Sequence, residues 1–459
     1  MFTTFTRSNC GAAALMLTVL FAFAAPARAD VIQDMSLLTM NTMNATGYPQ
    51  VTDSEKRPTF ILDMPTAHIA MYDATNAIAK KAKPFTAVPS SPTLGAAIDY
   101  AAAAATCQVL AGLFPNRLPV YQSACAPYQS TSAGTPAQLK GIAVGIEVGN
   151  DVLAFRANDG RMNPITYTPT GVPGDFVPVP ATPLPVSIYI PFVRPFTMSS
   201  AMQFRAYGPP DITSAIYARD FNETKAWGGT VSALRTPDNE ELARFATENP
   251  ATFVPRNWAW FANSDRSIAD NARLLAMIWV SAGDSFIALF DSKYFYRFWR
   301  PQTAIPQADV DGNPATDADT SWTPFVPTPN HPEYPAGHGC DGGVTAAVLT
   351  RYFHTKWVSF DVTSTVTNTT RHYENVYPYV HDLQDARIYG GMHWRNSVVA
   401  GTEQCKQVSR FVMDHNFQLL HPWPHEDDDD EDSNDQGHGP GPVPMPGPGK
   451  PKHGKGGHD

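Results

Sequence analysis

A chain of 459 residues, 43% of them hydrophobic, is long enough to bury a large core, and length alone allows two or three domains. The formal net charge is −10, and nothing in the sequence resembles the clustered basic charge that nucleic-acid binding requires, so we expect no nucleic-acid partner. Residues 424–459 hold nine acidic residues and three lysines, so much of the negative charge belongs to one terminal segment.

Residues 1–29 are typical of a secretory signal peptide. Arg7 gives a basic start, residues 12–25 form an apolar run, and residues 27–29 (Ala-Arg-Ala) suit a cleavage site. The run is shorter than the roughly 20 residues of a membrane helix. We therefore expect an exported protein, periplasmic or secreted, with an uncleaved anchor as the alternative. No later segment has the uninterrupted apolar length of a membrane span, so we expect no span and a soluble mature protein.

Four cysteines follow the predicted signal peptide. An even number in an exported chain permits two disulfides. We favour Cys107–Cys125 and Cys340–Cys405, because each pair falls within one half of the chain. Free cysteines buried as small hydrophobic side chains are the alternative.

Apolar residues recur at helical spacing through most of residues 30–423, which predicts an all-α fold. The predicted helices cover residues 61–82, 94–114, 137–158, 238–247, 267–295, 336–353 and 396–417. A proline-rich connector at 164–195 separates the first three helices from the rest and holds the best strand candidate, Val186–Ile190. We predict two helical bundles packed as one large domain, with the C-terminal bundle at about 226–423.

Residues 424–459 differ from the rest in composition. They are rich in Asp, and then in Gly, Pro and His. Such a segment cannot bury enough apolar area to order itself, so we predict a disordered, solvated tail.

Three short clusters in the second helical series carry the residues that suit an oxyanion. In the first, Lys293 and Arg300 lie seven residues apart. On one helix they would share a face, two turns apart, and Pro301 would mark the end of that helix. We expect the oxyanion site in the C-terminal bundle.

The second cluster is residues 331–338, His-Pro-Glu-Tyr-Pro-Ala-Gly-His. Its proline and glycine shape a turn that leads into a helical pattern beginning near Gly339. A helix start directs free backbone N–H groups at whatever lies in front of it, which favours an anion. Gly337 and His338 would lie at that opening.

In the third cluster, Arg387 and His393 flank Gly390-Gly391, a pair that would let the backbone approach a ligand closely. Arginine offers a planar fork of donors for anion oxygens, and a neutral histidine nitrogen can bond a metal or attack phosphorus. Each cluster alone is a common pattern. The three together, in this order, predict an oxyanion site.

The clusters resemble the signature shared by vanadium-dependent haloperoxidases, bacterial class A acid phosphatases and type 2 phosphatidic acid phosphatases. The chain matches it as Lys293…Arg300-Pro301, then residues 335–338, then Arg387…His393. Residues 68–74 (His-Ile-Ala-Met-Tyr-Asp-Ala) and the helices before Lys293 are similar to the soluble haloperoxidase-like branch. The resemblance therefore covers about residues 30–423.

The resemblance implies a vanadate cofactor, with phosphate competing for its site. The cations Lys293, Arg300 and Arg387 would neutralise the equatorial vanadate oxygens, helped by the N–H of Gly337. His393 would be the axial vanadium ligand and His338 the acid–base residue. The implied reaction is oxidation of a halide by hydrogen peroxide.

Two further residues are candidates at the site. His331 lies seven residues before His338, where algal bromoperoxidases carry a histidine, so the resemblance favours bromide. A loop histidine set by His-Pro geometry is the alternative. Asp284, on the predicted helix before Lys293, is a candidate for orienting a histidine.

Ala336 and Ala386 stand where the signature has serines. One lost hydrogen bond to a charged group is worth about 1.5–3 kcal/mol, so oxyanion binding would weaken without vanishing. Three functions follow: a vanadium-dependent haloperoxidase, a phosphomonoesterase that forms a phosphohistidine at His393, and an inactive oxyanion-binding homologue. Monomer and homo-oligomer both remain open.

Overall fold

The computed structural model describes residues 30–47, 57–86, 88–178 and 184–421. The predicted signal peptide and the predicted tail from residue 424 lie outside the described residues. Within the described ranges the fold is all-α apart from one two-stranded hairpin, which confirms the predicted fold class.

Thirteen α-helices lie in the described ranges. In chain order they are α1 Val31–Asn44, α2 Phe60–Ala79, α3 Ile98–Leu113, α4 Leu118–Cys125, α5 Pro136–Phe155, α6 Ala215–Gly228, α7 Pro237–Phe245, α8 Pro250–Ala259, α9 Ile268–Tyr296, α10 Pro301–Ala304, α11 Gly337–Phe353, α12 Val376–Tyr389 and α13 Arg395–His415. Strands β1 Phe360–Ser364 and β2 Thr369–Tyr373 pair antiparallel between α11 and α12.

Local chemistry explains where the predicted helices begin. At α5, Thr135 accepts the N–H of Gln138 in a capping box, with proline at the first helical position. At α9, the Ser267 side chain accepts the N–H of Asp270. Each side chain satisfies a backbone donor that has no partner inside its helix.

Helix α9 is the central element of the fold. It has 29 residues and packs against α2, α11 and α13. By length and composition it could cross a membrane, which corrects the expectation that no later segment reaches that apolar length. Its most apolar window is 94% buried inside the protein, as in a core helix. One hydrophobic core, from Ile32 to Phe417, joins both helical series.

Both favoured disulfides are present. Cys107–Cys125 links α3 to the end of α4, and Cys340–Cys405 links α11 to α13. The alternative of free buried cysteines is therefore wrong.

The predicted strand Val186–Ile190 is wrong. Residues 186–189 form a turn, followed by the 3₁₀ turn Ile190–Phe192. Ser187 has φ 58°, in the left-handed region, which a strand cannot contain.

Candidate functional site

Lys293 and Arg300 reach the same pocket by a route that the spacing did not predict. Helix α9 ends at Tyr296, because Arg297 adopts φ 54° and its N–H bonds to the carbonyl of Lys293. Arg300 therefore lies beyond the helix, and the prediction of a shared helical face is wrong. Pro301 begins the short helix α10 instead of ending a longer one.

The start of α11 supplies backbone donors, and it lies within two residues of the predicted position. Ala336 is the N-cap residue without a side-chain cap bond, and Gly337 is the first helical residue. The first N–H groups of a helix have no acceptor within it. A Cβ added at Gly337 would approach no atom outside its local backbone closer than 3.8 Å, to Phe286, so this helix start is not crowded.

Arg387 lies in the last turn of α12, and His393 lies in the turn that follows. Gly391 has φ 74°, and a Cβ there would lie 2.2 Å from the carbonyl oxygen of Gly228 in α6. This glycine therefore allows close contact with the backbone of α6. Thr224 of α6 also donates to the carbonyl of His393 at 3.0 Å. Helix α6 thus holds the turn that carries the histidine.

The three cations are buried, with exposed fractions of 0%, 1% and 2% for Lys293, Arg300 and Arg387. Lys293 Nζ donates to the backbone carbonyls of Pro332 and Glu333, both at 3.0 Å. Arg300 Nη1 donates to the carbonyl of Met392 at 2.9 Å, and Arg387 Nη2 donates to that of Ala246 at 2.9 Å. Among the described residues, none of the three cations forms an ion pair within 4.0 Å.

Burial without a paired negative charge lowers the pKa of all three cations. The pKa of Lys293 falls well below its ordinary value, that of Arg300 falls to about 10, and that of Arg387 falls to about 9. A buried charge is costly unless it is paired. A bound oxyanion would supply the missing negative charge, so the pocket has the electrostatics of an anion site.

His393 is held between an acid and a cation. Its Nδ1 lies 2.7 Å from Oε1 of Glu333, and Arg300 Nη1 lies 3.0 Å from its Nε2. Because a guanidinium can only donate, Nε2 carries the lone pair. Burial, reinforced by Arg300, lowers the pKa of His393 well below its ordinary value. The neutral imidazole therefore presents the nitrogen lone pair that a metal ligand needs.

His338, the second predicted catalytic histidine, faces Arg387. Its Nε2 lies 3.0 Å from the carbonyl oxygen of Ala246, and Arg387 Nη1 lies 3.4 Å from its Nδ1. Nε2 therefore carries the hydrogen, and Nδ1 is the basic atom. Burial, followed by the charge of Arg387, lowers the pKa of His338 well below its ordinary value.

His331 lies in this pocket and Asp284 does not. Arg300 donates to the carbonyl of His331 at 2.9 Å and approaches its Nδ1 at 3.0 Å. Asp284 instead accepts the backbone N–H of Phe196 at 2.6 Å, and the N–H and hydroxyl of Thr197 at 2.8 and 2.5 Å. The expectation that Asp284 orients a histidine is wrong, because its carboxylate is occupied by the residues that follow the connector.

Two buried acids at the site, Glu333 and Asp341, have no predicted role. Burial raises the pKa of Glu333 to about 7 against the opposing charge of Arg300. Burial likewise raises the pKa of Asp341 to about 8, with Arg387 opposing it. The sequence does hold a signal for both acids, because each lies among motif residues. Glu333 lies between His331 and His338, and Asp341 lies three residues after His338.

The donors at this site fit a tetrahedral oxyanion such as vanadate. Nε of Arg387 is buried and has no hydrogen-bond partner among the described residues, so it is a donor in need of an acceptor. The lysine, the two guanidinium groups and the start of α11 add donors suited to oxygen, and His393 adds a nitrogen ligand. Phosphate has the same shape and would fit the same donors.

Comparison with known proteins places this pocket in a family. The family model described as the VCPO second helical-bundle domain matches residues 273–422, which include all three clusters. The vanadium chloroperoxidase of Curvularia inaequalis is 25% identical over 31% of this chain, and the match spans 30% of that relative's length.

Solved structures extend the likeness to most of the chain. The crystal structure of the first bacterial vanadium-dependent iodoperoxidase has a TM-score of 0.68 at 22% identity, covering 86% of this chain and 97% of that one. A holo-type bacterial vanadium-dependent chloroperoxidase has a TM-score of 0.66 at 15% identity, covering 85% and 98%. The fold is thus that of the vanadium-dependent haloperoxidases. The resemblance to the haloperoxidase-like branch is therefore confirmed, by the family model over residues 273–422 and by the fold of most of the chain.

Proposed function

We propose that this chain is an exported vanadium-dependent haloperoxidase that oxidises halide, with bromide favoured, using hydrogen peroxide. The observation that carries the proposal is the set of three buried cations without ion-pair partners beside the Nε2 lone pair of His393. The family match supports vanadate as the cofactor.

The residues of the pocket would divide the task of holding vanadate. Lys293, Arg300 and Arg387 would bind its oxygens together with the N–H of Gly337, and His393 Nε2 would bind vanadium. When bound, vanadate supplies the Lewis acidity that polarises peroxide towards a halide. The fixed positive groups stabilise negative charge on oxygen without having to reorganise.

His338 would take the proton that peroxide gives up. Its Nδ1 is the basic atom, and its Nε2–H is already bonded to the carbonyl of Ala246, so the imidazolium would keep that bond. Arg387 lies 3.4 Å from Nδ1, and its charge favours release of the proton afterwards. A base that both accepts and releases a proton suits a catalytic cycle.

The surroundings of His331 support a large halide. Its ring meets that of Phe290 edge to face at 5.7 Å between centroids, and Arg300 lies against it. A cation backed by aromatic rings suits a polarisable, weakly hydrated anion. Bromide fits this description better than chloride.

A phosphomonoesterase is the second candidate, because the neutral His393 also has the lone pair of a nucleophile. In that reaction His393 would attack phosphorus and His338 would protonate the leaving oxygen. The same cations would stabilise the charge that develops on phosphorus-bound oxygen.

One parallel assay separates the two functions. Purified protein, with and without added vanadate, is tested for peroxide-dependent bromination and for hydrolysis of an aryl phosphate. Bromination that requires vanadate is the expected result. Hydrolysis that vanadate abolishes, without bromination, would overturn the proposal in favour of the phosphatase. Inactivity in both assays with retained phosphate binding would identify an inactive oxyanion-binding protein.

A further inference from the structure

Glu333 is a fully buried acid whose side chain contacts the segment that carries His393. Its Oε1 lies 2.7 Å from Nδ1 of His393 and accepts the backbone N–H of Trp394 at 3.0 Å. Its Oε2 is buried and has no hydrogen-bond partner in the part of the chain that the structure describes. The carboxyl group is therefore directed at one histidine.

Two contacts fix which nitrogen of His393 carries the hydrogen. Arg300 Nη1 approaches Nε2 at 3.0 Å, and a guanidinium has hydrogens only to donate. A hydrogen on Nε2 would therefore face a hydrogen of Arg300, and the hydrogen must sit on Nδ1, where Oε1 of Glu333 accepts it. This conclusion holds whether or not the other oxygen of Glu333 carries a proton.

We propose that Glu333 is the positioning residue of His393. Its Oε1 keeps the imidazole in the Nδ1–H tautomer and directs the Nε2 lone pair into the oxyanion pocket. The consequence for vanadate binding rests on the function proposed above, whereas the tautomer does not. Acceptors behind a metal-binding histidine typically change metal affinity by about 10–100-fold.

The side chain of Glu333 can be tested apart from its backbone. The backbone carbonyl of Glu333 accepts Lys293 Nζ at 3.0 Å and lies 3.4 Å from the hydroxyl of Ser397. A side-chain replacement leaves the groups of both contacts in place. Its effects therefore report on the two bonds of the side chain, to Nδ1 of His393 and to the N–H of Trp394.

Two variants separate hydrogen bonding from charge. Glu333→Gln keeps an oxygen that can accept from Nδ1 but removes the negative charge, whereas Glu333→Met has a similar size and no acceptor. If Glu333 acts as an acceptor, glutamine should preserve the Nδ1–H tautomer, and methionine should weaken the preference for it. If it acted through charge alone, the two variants would behave alike.

The first measurement is the ¹⁵N NMR spectrum of the imidazole nitrogens in protein free of oxyanion. The His393 signals are assigned by their absence from the spectrum of His393→Gln. We expect a protonated Nδ1 and an unprotonated Nε2 in the wild type and in Glu333→Gln. We expect a larger Nε2–H population in Glu333→Met than in Glu333→Gln, because only the contact with Arg300 then disfavours it. A wild-type His393 protonated on Nε2 would overturn the proposal even if a variant failed to fold.

The second measurement is the affinity for vanadate and for inorganic phosphate by titration calorimetry. Glu333→Met should bind vanadate about 10–100-fold more weakly than Glu333→Gln, because only vanadate bonds to Nε2. Its phosphate affinity, set by the cations, should change by less than about threefold. Equal vanadate affinities in the two variants would contradict the role of Glu333.

The same data distinguish this inference from the proposed function. A wild type that binds vanadate no better than phosphate would count against the haloperoxidase, while the NMR result still decides the tautomer. Asp284→Asn is the matched control, since it alters a buried carboxylate that contacts no histidine. It should leave the His393 signals and both affinities unchanged.

Discussion

Buried arginines occur in two regions of this fold, and their partners differ. Near the connector, Arg161 lies 2.5 Å from a carboxylate oxygen of Asp63 and 3.0 Å from one of Asp159. In the pocket, Arg300 and Arg387 contact carbonyls and histidines and, in the described ranges, form no ion pair. The same residue type is as deeply buried in both regions.

The difference shows what the buried arginines contribute in each region. A buried ion pair satisfies its own charges, and removing one partner leaves the other uncompensated. A buried cation without a carboxylate partner makes the fold less stable than it would otherwise be, and its charge remains available to a ligand. Pairing therefore separates a structural arginine from a ligand-binding one, and four predictions test this distinction.

The largest effect is expected from Asp63→Ala, which removes the ion pair between Asp63 and Arg161. Arg161 would keep a buried charge with one carboxylate partner fewer, so the free energy of unfolding should fall by about 3–5 kcal/mol. Urea unfolding measures this loss. The control is Lys81→Ala, which removes a partly exposed ion pair with Asp270 and should cost less than about 1 kcal/mol. Equal losses in the two variants would refute the distinction.

In the pocket, Arg387→Met should lower the affinity for oxyanions without lowering stability. The folded protein loses an unpaired buried charge, so its stability without oxyanion should stay level or rise by about 1–3 kcal/mol. Vanadate and phosphate affinity should fall by about 10–100-fold, because charged hydrogen bonds worth about 1.5–3 kcal/mol are lost. Unfolding curves and calorimetry measure both quantities. A destabilised variant with unchanged affinity would reverse the assignment.

The comparison extends to histidines through His68. Its Nδ1 lies 2.8 Å from the carbonyl of Met64, its Nε2 has no partner among the described residues, and burial lowers its pKa to about 3. The unfolded chain binds this proton below about pH 6.5 and the folded chain does not, so stability should fall as the pH drops from 6.5 towards 3.

The His68→Met variant should lose this pH dependence. Between pH 6 and pH 4 its stability should fall by about 2 kcal/mol less than that of the wild type, at up to about 1.4 kcal/mol per pH unit. Urea unfolding across that range provides the measurement. Parallel stability curves for the two proteins would show that His68 is protonated in the folded state.

The smallest effect is expected from Ala336→Ser. Ala336 is the N-cap residue of α11, so a serine there can cap the helix, which is worth about 1 kcal/mol. The hydroxyl can also bond an oxyanion oxygen, with a gain in affinity of up to about tenfold. Stability without anion and affinity for vanadate measure the two effects separately. An unchanged affinity would show that the hydroxyl does not reach the ligand.

The sequence predicted the elements that carry strong local signals. The apolar run of α9, the alanine-rich α3 and the turn into α11 were all placed within a few residues of their observed bounds. The resemblance also gathered Lys293, Arg300 and Arg387 into one pocket, as the structure does.

The failures share a physical cause, which is contact between distant parts of the chain. No local pattern marks Arg297 as left-handed, so the helix appeared to continue to Arg300. Asp284 has its hydrogen-bond partners just after the connector, 87 and 88 residues away, and Glu333 contacts His393 60 residues away. Periodicity and motif spacing carry no information about such pairings.

The Cys340–Cys405 bond has a topological consequence. It joins residues 65 apart in the sequence, and the segment between them contains β1, β2, Arg387 and His393. A protease that cut the hairpin would open this covalent ring without releasing either fragment. The piece bearing Lys293 and Arg300 would stay tethered to the piece bearing His393, so a nicked molecule would still hold every residue of its pocket.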